Sequence, residues 1–219
     1  MIDALINALE FQEADERTRQ ERTVQTRRQI IMAAVPIFAT NGYDQASTHE
    51  IAAAAEVNQG LITYHFGSKE KLWQTVVDEV VGAFRNMLAS QLRDAAARDG
   101  TQLFRRVVDV YVRWAADNPN LFRILIELNR TTSDRSKWYA ERHVRPVFDV
   151  FTHIMIDGQE RGLLRQGSPV GMYYQLISSG MVFMIPDEAR WLSGIDVTSD
   201  AFVQSHADLL YRMFLKPEE

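Results

Sequence analysis

The chain contains no cysteine, which excludes disulfides, a thiolate metal site and a cysteine nucleophile. No stretch approaches the roughly 20 consecutive apolar residues of a membrane span. The start, MIDALINALEFQEADER, is acidic and lacks the basic n-region of a signal peptide, so a cytoplasmic protein without membrane contact is expected. Period-two alternation of apolar and polar residues is nearly absent, which removes the β classes. There is no nucleophile elbow, phosphate loop or Rossmann glycine pattern. The five histidines, His49, His65, His143, His153 and His206, show no i, i+4 pairing around a glutamate of the kind a helical zinc site uses. Neither a metal nor a cofactor is expected. No residue constellation supports an enzyme, and SKWYAERHVRP (136–146) reads as a polar helix face rather than a catalytic set.

What is present is a core. The chain has 219 residues, 46% of them hydrophobic, enough for one large domain or a small one joined to a larger one. The net charge of −5 argues against a nucleic-acid partner until its distribution is considered. Residues 1–16 carry five acids and no base, whereas residues 17–72 carry seven bases against five acids, a net of 7 − 5 = +2. Five of those bases cluster in RTRQERTVQTRR (17–28). This run reads equally as a solvated arm or as a phosphate-contacting one.

Helical periodicity dominates, and the reading is an all-α protein of about nine helices. Residues 1–20 read as a flexible acidic N-terminal extension, 21–68 as a compact three-helix unit, and 69–219 as a larger helical body. A first helix is expected over about 23–40, with Pro36 bending it and Gly42 ending it. Ser47 and Glu50 have capping-box spacing, and Asn58 is a second N-cap opening QGLITYHF. Gly67 breaks that helix, Ser68 caps the next, and a stripe of Leu72, Val76, Val80, Phe84 and Leu88 predicts a long helix over 69–98. Further helices are expected over 101–117, 119–131, 135–161 with a kink at Pro146, 169–190 and 198–215.

The segment 47–72 carries the chemistry. Two short helices, the second opened by a cap after a tight turn, outline a helix-turn-helix. Ile62 and Phe66 share one side with Val57 and pack inward. Gln59 and Thr63 lie one turn apart on another side, free for a major groove. Gly60 permits close approach, and Tyr64 and His65 point obliquely towards phosphate oxygens. Lys69 stands at a helix N-terminus that favours an anion, while Thr48 and His49 open the first short helix on the opposite side of the groove. A plainer reading of Tyr64, His65 and Phe66 is an interdomain packing cluster; the caps and glycines in register beside them favour DNA contact.

The stretch IIMAAVPIFATNGYDQASTHEIAAAAEVNQGLITYHFGSKEKLW resembles the DNA-binding domain of TetR-type bacterial regulators, whose signature is roughly an ILxAAxxLFxxxGY helix followed by TxxxIAxxAGVSxGxxYxHFxSKexL. The matches include Ile30, Ala33, Ala34, Phe38, Gly42, Tyr43, Ile51, Ala52, Ala55, Val57, Gly60, Tyr64, His65, Phe66, Ser68, Lys69 and Leu72. The resemblance implies DNA contacts at Thr48, His49, Asn58, Gln59, Gly60, Thr63, Tyr64, His65 and Lys69, with Arg27 and Arg28 adding phosphate contacts. The chain departs from the pattern at Glu56, where the family usually has glycine, at Asn58 in place of serine or threonine, at Thr63 in place of a bulkier residue, and at Pro36.

The body is rich in aromatics, each of which reads singly as core. Collectively, Trp114, Phe122, Leu125, Trp138, Tyr139, His143, Tyr174 and Phe183, with Met172, Met181 and Met184, are candidates to line an adaptable apolar pocket for a small-molecule effector. Arg130, Arg142 or Arg145 are candidate anchors for a carboxylate. The resemblance implies a four-helix dimer interface from the last two helices, with Tyr173, Phe202, Leu209, Leu210, Met213 and Phe214 contributing. The expected function is a homodimeric DNA-binding regulator, a repressor released from a double-stranded, pseudo-palindromic operator by an effector. The alternative is a helical ligand-binding or scaffolding protein whose helix-turn-helix serves protein contacts, a reading supported by the negative charge and Glu56.

Overall fold

The structure is a computed structural model that describes residues 1–10, 21–96, 100–120, 124 and 133–216. Its helices are α1 (Ile2–Leu9), α2 (Glu21–Gln45), α3 (Thr48–Ala54), α4 (Gln59–Phe66), α5 (Lys69–Ala96), α6 (Gly100–Asp117), α7 (Asp134–Tyr139), α8 (Arg145–Glu160), α9 (Pro169–Ser178), α10 (Pro186–Ser193) and α11 (Asp200–Phe214). A π-helical turn, Ala140–Val144, joins α7 to α8, and a 3-10 segment, Ser179–Met184, extends α9. Among the described residues the sole β-pairing is an isolated bridge between Leu164 and Leu215, which ties the end of α11 to the α8–α9 loop. The expected helix over 119–131 falls largely outside the described residues.

Apolar burial holds the N-terminal unit together. Ile30, Ala34 and Phe38 of α2 meet Ile51 and Ala52 of α3 and Ile62 of α4, all at 2% exposure or less. Helix α2 runs through Pro36 and leaves helical dihedrals only at Gly42, with φ 69° and ψ 176°. The break therefore belongs to the residue that tolerates positive φ, not to the proline. The α5 stripe continues this core into the body, with Leu72, Val76, Phe84 and Leu88 buried and α6, α1 and the π-turn packed against the helix.

Three expectations change, two of them in the body. The run 135–161 is not a single kinked helix. Pro146 has no N–H and its ring crowds the carbonyl four residues back, so the helix widens into the π-turn just before it. The freed Arg142 carbonyl accepts a hydrogen bond from Arg85 at 3.0 Å. The run 169–190 also divides. The Ser178 and Ser179 hydroxyls bond back to the carbonyls of Gln175 and Leu176, offering the backbone an alternative to α-helical pairing, and Ile185 is pushed to φ −125° by the proline that follows it.

The third change concerns the N-terminus. Residues 1–10 are not loose. Helix α1 packs on α5 and α8, with Ile6 and Leu9 at 0% exposure and its Ala8 carbonyl accepting from Arg85 at 2.7 Å. Residues 11–20 of the expected extension lie outside the described residues.

Candidate nucleic-acid interface

Helix α4 begins because Asn58, in extended conformation, accepts the Gly60 N–H at 2.8 Å. It ends because Gly67 takes φ 76°, and Ser68 then caps α5 through the Lys71 N–H at 3.1 Å. Helix α3 is capped by Ser47, which accepts from His49 N. The expected reciprocal bond from Glu50 does not form: both Glu50 oxygens instead receive the Asn41 side-chain amide, at 3.2 and 3.3 Å. Glu50 thus fastens α3 to the end of α2 rather than closing a capping box.

Ile62 and Phe66 bury the inner side of α4. The opposite side is open, with Gln59, Gly60 and Thr63 exposed and Tyr64 74% exposed. The Gln59 amide donates to the Thr48 hydroxyl at 3.1 Å, so two predicted contact residues from different helices are held together on one surface. His49, Asn58 and Arg28 are exposed on the same unit, and His65 is half-buried with its ring 5.0 Å from that of Tyr64.

Two predicted contacts have other engagements. Arg27 lies over the Phe66 ring at 4.8 Å. Lys69 donates to the Asp44 carbonyl at 3.1 Å and sits over the Tyr43 ring at 4.6 Å. Its ammonium closes the junction between α2 and α5, a short and oriented contact that a mobile phosphate-seeking side chain would not make.

Sequence reasoning left Tyr43 unassigned and missed Arg135, and both belong to that junction. The Arg135 guanidinium lies over the Tyr43 ring, 3.9 Å from its centroid, and bonds Asp44 and Glu70 at 3.3 and 3.5 Å. Burial, with a hydrogen bond to Glu70, raises the Tyr43 hydroxyl above its ordinary pKa. Tyr43 meets Trp73 edge-on at 5.9 Å, Trp73 meets Trp138 at 5.5 Å, and Trp138 meets His143 at 5.3 Å. An aromatic path thus runs from the N-terminal unit into the body. Arg135 could not be found locally, because it stands 91 residues from Asp44.

The predicted effector-pocket residues do not converge. Trp138, Tyr139 and His143 form one ring cluster, Trp114 pairs with Phe84 at 4.2 Å, and Phe183 meets Phe202 and His206. Tyr174 is 61% exposed, and Phe122 and Leu125 lie outside the described residues. Of the candidate anchors, Arg142 pairs with Asp78 at 2.7 Å and Arg145 with Asp149; Arg130 lies outside the described residues. His143 is fully buried, its Nε2 2.9 Å from Asp78 Oδ1. Burial lowers its pKa against the opposing pull of Asp78, which favours the neutral imidazole beside that carboxylate. For Asp78, burial acts upward, but hydrogen bonds from His143 and Arg142 outweigh it and hold the carboxyl below its usual range. His143 is a structural core group, not a pocket wall.

The predicted dimer residues also divide. Tyr173, Leu210 and Phe214 are 4 to 5% exposed and belong to the protomer's own core, a correction set by the rotation of each helix. Phe202 is half-buried against Phe183 and His206. Leu209 and Met213 face outward at 50 and 56%, and Val170, Tyr174 and Met181 are similarly bare. Among the described residues no cluster of acidic and histidine side chains could hold a metal, and no helix is long and apolar enough to cross a membrane.

Glu56 closes the turn between α3 and α4 with φ 54°. The left-handed region costs a non-glycine residue about 1–2 kcal/mol, against the roughly 0.5–1 kcal/mol that glycine forfeits through its freer unfolded chain. Glu56→Gly is therefore expected to raise the melting temperature by about 1–4 °C. It is also expected to tighten DNA binding, because it removes a carboxylate next to the predicted contact residues Asn58 and Gln59. Thermal unfolding and DNA titration of the variant check both.

Residues 30–76 match the family model described as bacterial regulatory proteins, tetR family. The chain is similar to the HTH-type transcriptional repressor NicS of Pseudomonas putida, 28% identical over 198 residues, covering 88% of this chain and 90% of that protein. In fold it is similar to HlyIIR, a hemolysin II transcriptional regulator, with TM-score 0.69 and 18% identity over 89% of this chain and 99% of that one. It is also similar to AibR, solved in complex with isovaleryl coenzyme A and operator DNA, with TM-score 0.71 and 17% identity over 88% of this chain and 100% of that one. Residues 30–76, which include the capped, outward-facing second helix, thus match the tetR family of bacterial regulatory proteins, and the helical body behind them shares the fold of the solved regulators named above.

Proposed function

We propose that the chain acts as a homodimeric repressor whose two α4 helices enter successive major grooves of a pseudo-palindromic operator, about 34–36 Å apart. A small molecule bound in the body changes their spacing. The observation that carries this is the bare Gln59–Thr63 edge of a helix fixed at both ends. Gln59 and Thr63 read base edges; Thr48, His49, Asn58, Gly60, Tyr64, His65 and Arg28 hold the backbone on either side. Arg27 and Lys69 support this surface from behind through Phe66 and Asp44. The outward apolar residues of α9 and α11 form the face between protomers. The name of NicS as a repressor, and a structural neighbour holding both an acyl coenzyme A and operator DNA, support the ligand-responsive reading. The effector acts only through its different affinities for the two arrangements of the dimer.

The test is footprinting of the promoter of the chain's own gene. A dimeric preparation at low salt is expected to protect two half-sites one or two helical turns apart. Affinity should fall linearly on a log–log plot against salt, because phosphate contacts release counterions. No protection at low salt overturns the reading.

A further inference from the structure

Arg85 is a guanidinium on the apolar stripe of α5, 5% exposed, one turn from buried Val81 and one turn from buried Ala89. Its terminal nitrogens donate to two main-chain carbonyls, Ala8 of α1 and Arg142 of the π-turn. Two turns further along α5, Arg93 pairs with Glu10 and with the Asn7 side chain. A guanidinium fork is shaped to take a carboxylate through two parallel hydrogen bonds. On Arg85, main-chain oxygens of a short helix, α1, and of the π-turn hold that position. Helix α1 also fills the groove between α5 and α8 with Ile6 and Leu9, both at 0% exposure. What α1 offers the groove is an apolar body with an electron-rich carboxyl-terminal end and a carboxylate just beyond it.

We propose that this groove is a ligand site with α1 as its tethered resident, and that a long-chain apolar monocarboxylate displaces α1 from it. The carboxylate takes Arg85, and the chain lies where Ile6 and Leu9 now pack. Withdrawal of α1 takes one acceptor from Arg85 and two, Asn7 and Glu10, from Arg93, and the incoming carboxylate restores the first. The Asp78 carboxylate is matched by Arg142 and His143 and stays with them. The exchange at the groove stands apart from DNA binding; its use as the effector switch rests on the repressor reading. A tethered competitor lowers the apparent affinity for the ligand by the fraction of time the groove is open.

Because the chain has no cysteine, Asp3→Cys places a single spin label on the exposed side of α1. Full-length labelled protein is titrated with sodium dodecanoate below its micelle concentration, with dodecanol as the headless control, and binding is followed in parallel by calorimetry. The expected result is an immobile label that becomes mobile as dodecanoate saturates, with dodecanol at least about 10-fold weaker. Full-length Leu9→Asp, which releases α1, should show a mobile label from the start and bind dodecanoate at least about 10-fold more tightly than wild type. Saturation with the label still immobile overturns the proposal, as do equal affinities in the two proteins or dodecanol binding as well as dodecanoate. Should Leu9→Asp fail to fold, the wild-type label titration decides alone. These measurements contain no DNA, so an absent footprint would remove the repressor reading and leave the groove assignment standing.

Discussion

Replacing Gln59 and Tyr64 together by alanine is expected to lower operator affinity about 100-fold, or roughly 2.7 kcal/mol, with folding and dimerisation intact. The first part of that loss is base readout. A glutamine amide paired with an adenine edge is worth about 1–3 kcal/mol of discrimination, and the bond from Gln59 to Thr48 holds the amide in place before DNA arrives. The second part is positional. Tyr64 is 74% exposed, so its hydroxyl is free to donate to a phosphate, a charge-assisted bond of about 1.5–3 kcal/mol. Neither side chain is buried, so truncation leaves no cavity, and surface changes of this kind stay within about 0.5 kcal/mol in stability. The two residues also separate by type of loss. Gln59→Ala should relax sequence preference at one position of each half-site, whereas Tyr64→Phe should weaken specific and nonspecific DNA equally. Anisotropy titrations against operator and scrambled duplexes measure both. A double variant that binds operator like wild type would place the reader elsewhere.

Charging the outer face of α11 should separate the protomers. Leu209→Asp with Met213→Asp is expected to give a monomer at micromolar concentration in sedimentation, with an unchanged helical circular dichroism spectrum and operator affinity reduced more than about 100-fold. The two positions are one turn apart, 50 and 56% exposed, so a carboxylate at either is solvated in the lone protomer and costs it little. In the dimer the same carboxylates lose water against the apolar face of the partner and repel their symmetry mates. The fall in DNA affinity follows from linkage. One half-site holds the dimer's second reader at an effective concentration in the millimolar range, and a monomer forgoes that. A variant that stays dimeric would move the interface off this face.

The bounds and the bare edge of α4 were largely legible in the sequence because their determinants are local. Asn58, Gly60, Gly67 and Ser68 set the ends of α4 within ten residues, and the apolar phase of Ile62 and Phe66 decides which edge stays bare. The body was less legible because its decisive contacts join distant segments. Arg85 bridges to residues 77 and 57 positions away, although a charge on an apolar stripe was a visible signal of something unusual there. Tyr173 and Tyr174 show the same limit at the closest range. Composition treats them alike, but a turn of about 100° per residue sends one into the core beside Phe148 and Phe151 and the other into solvent. The phase of α9 is set by what it packs on, which no window around the pair contains. The same blindness applied to α1, whose eight residues pack on α5 and α8, far away in the sequence.

The clasp around Tyr43 separates two kinds of novelty. Lys69 and Arg135 grip the ring from the long helix and from α7, and none of the three side chains is spent on bases or on the interior of the body. On the proposed reading, exchanging Gln59 and Thr63 would alter the target site, and exchanging residues of the body would alter the chemical cue, with the Tyr43 junction left as a common fitting between the two.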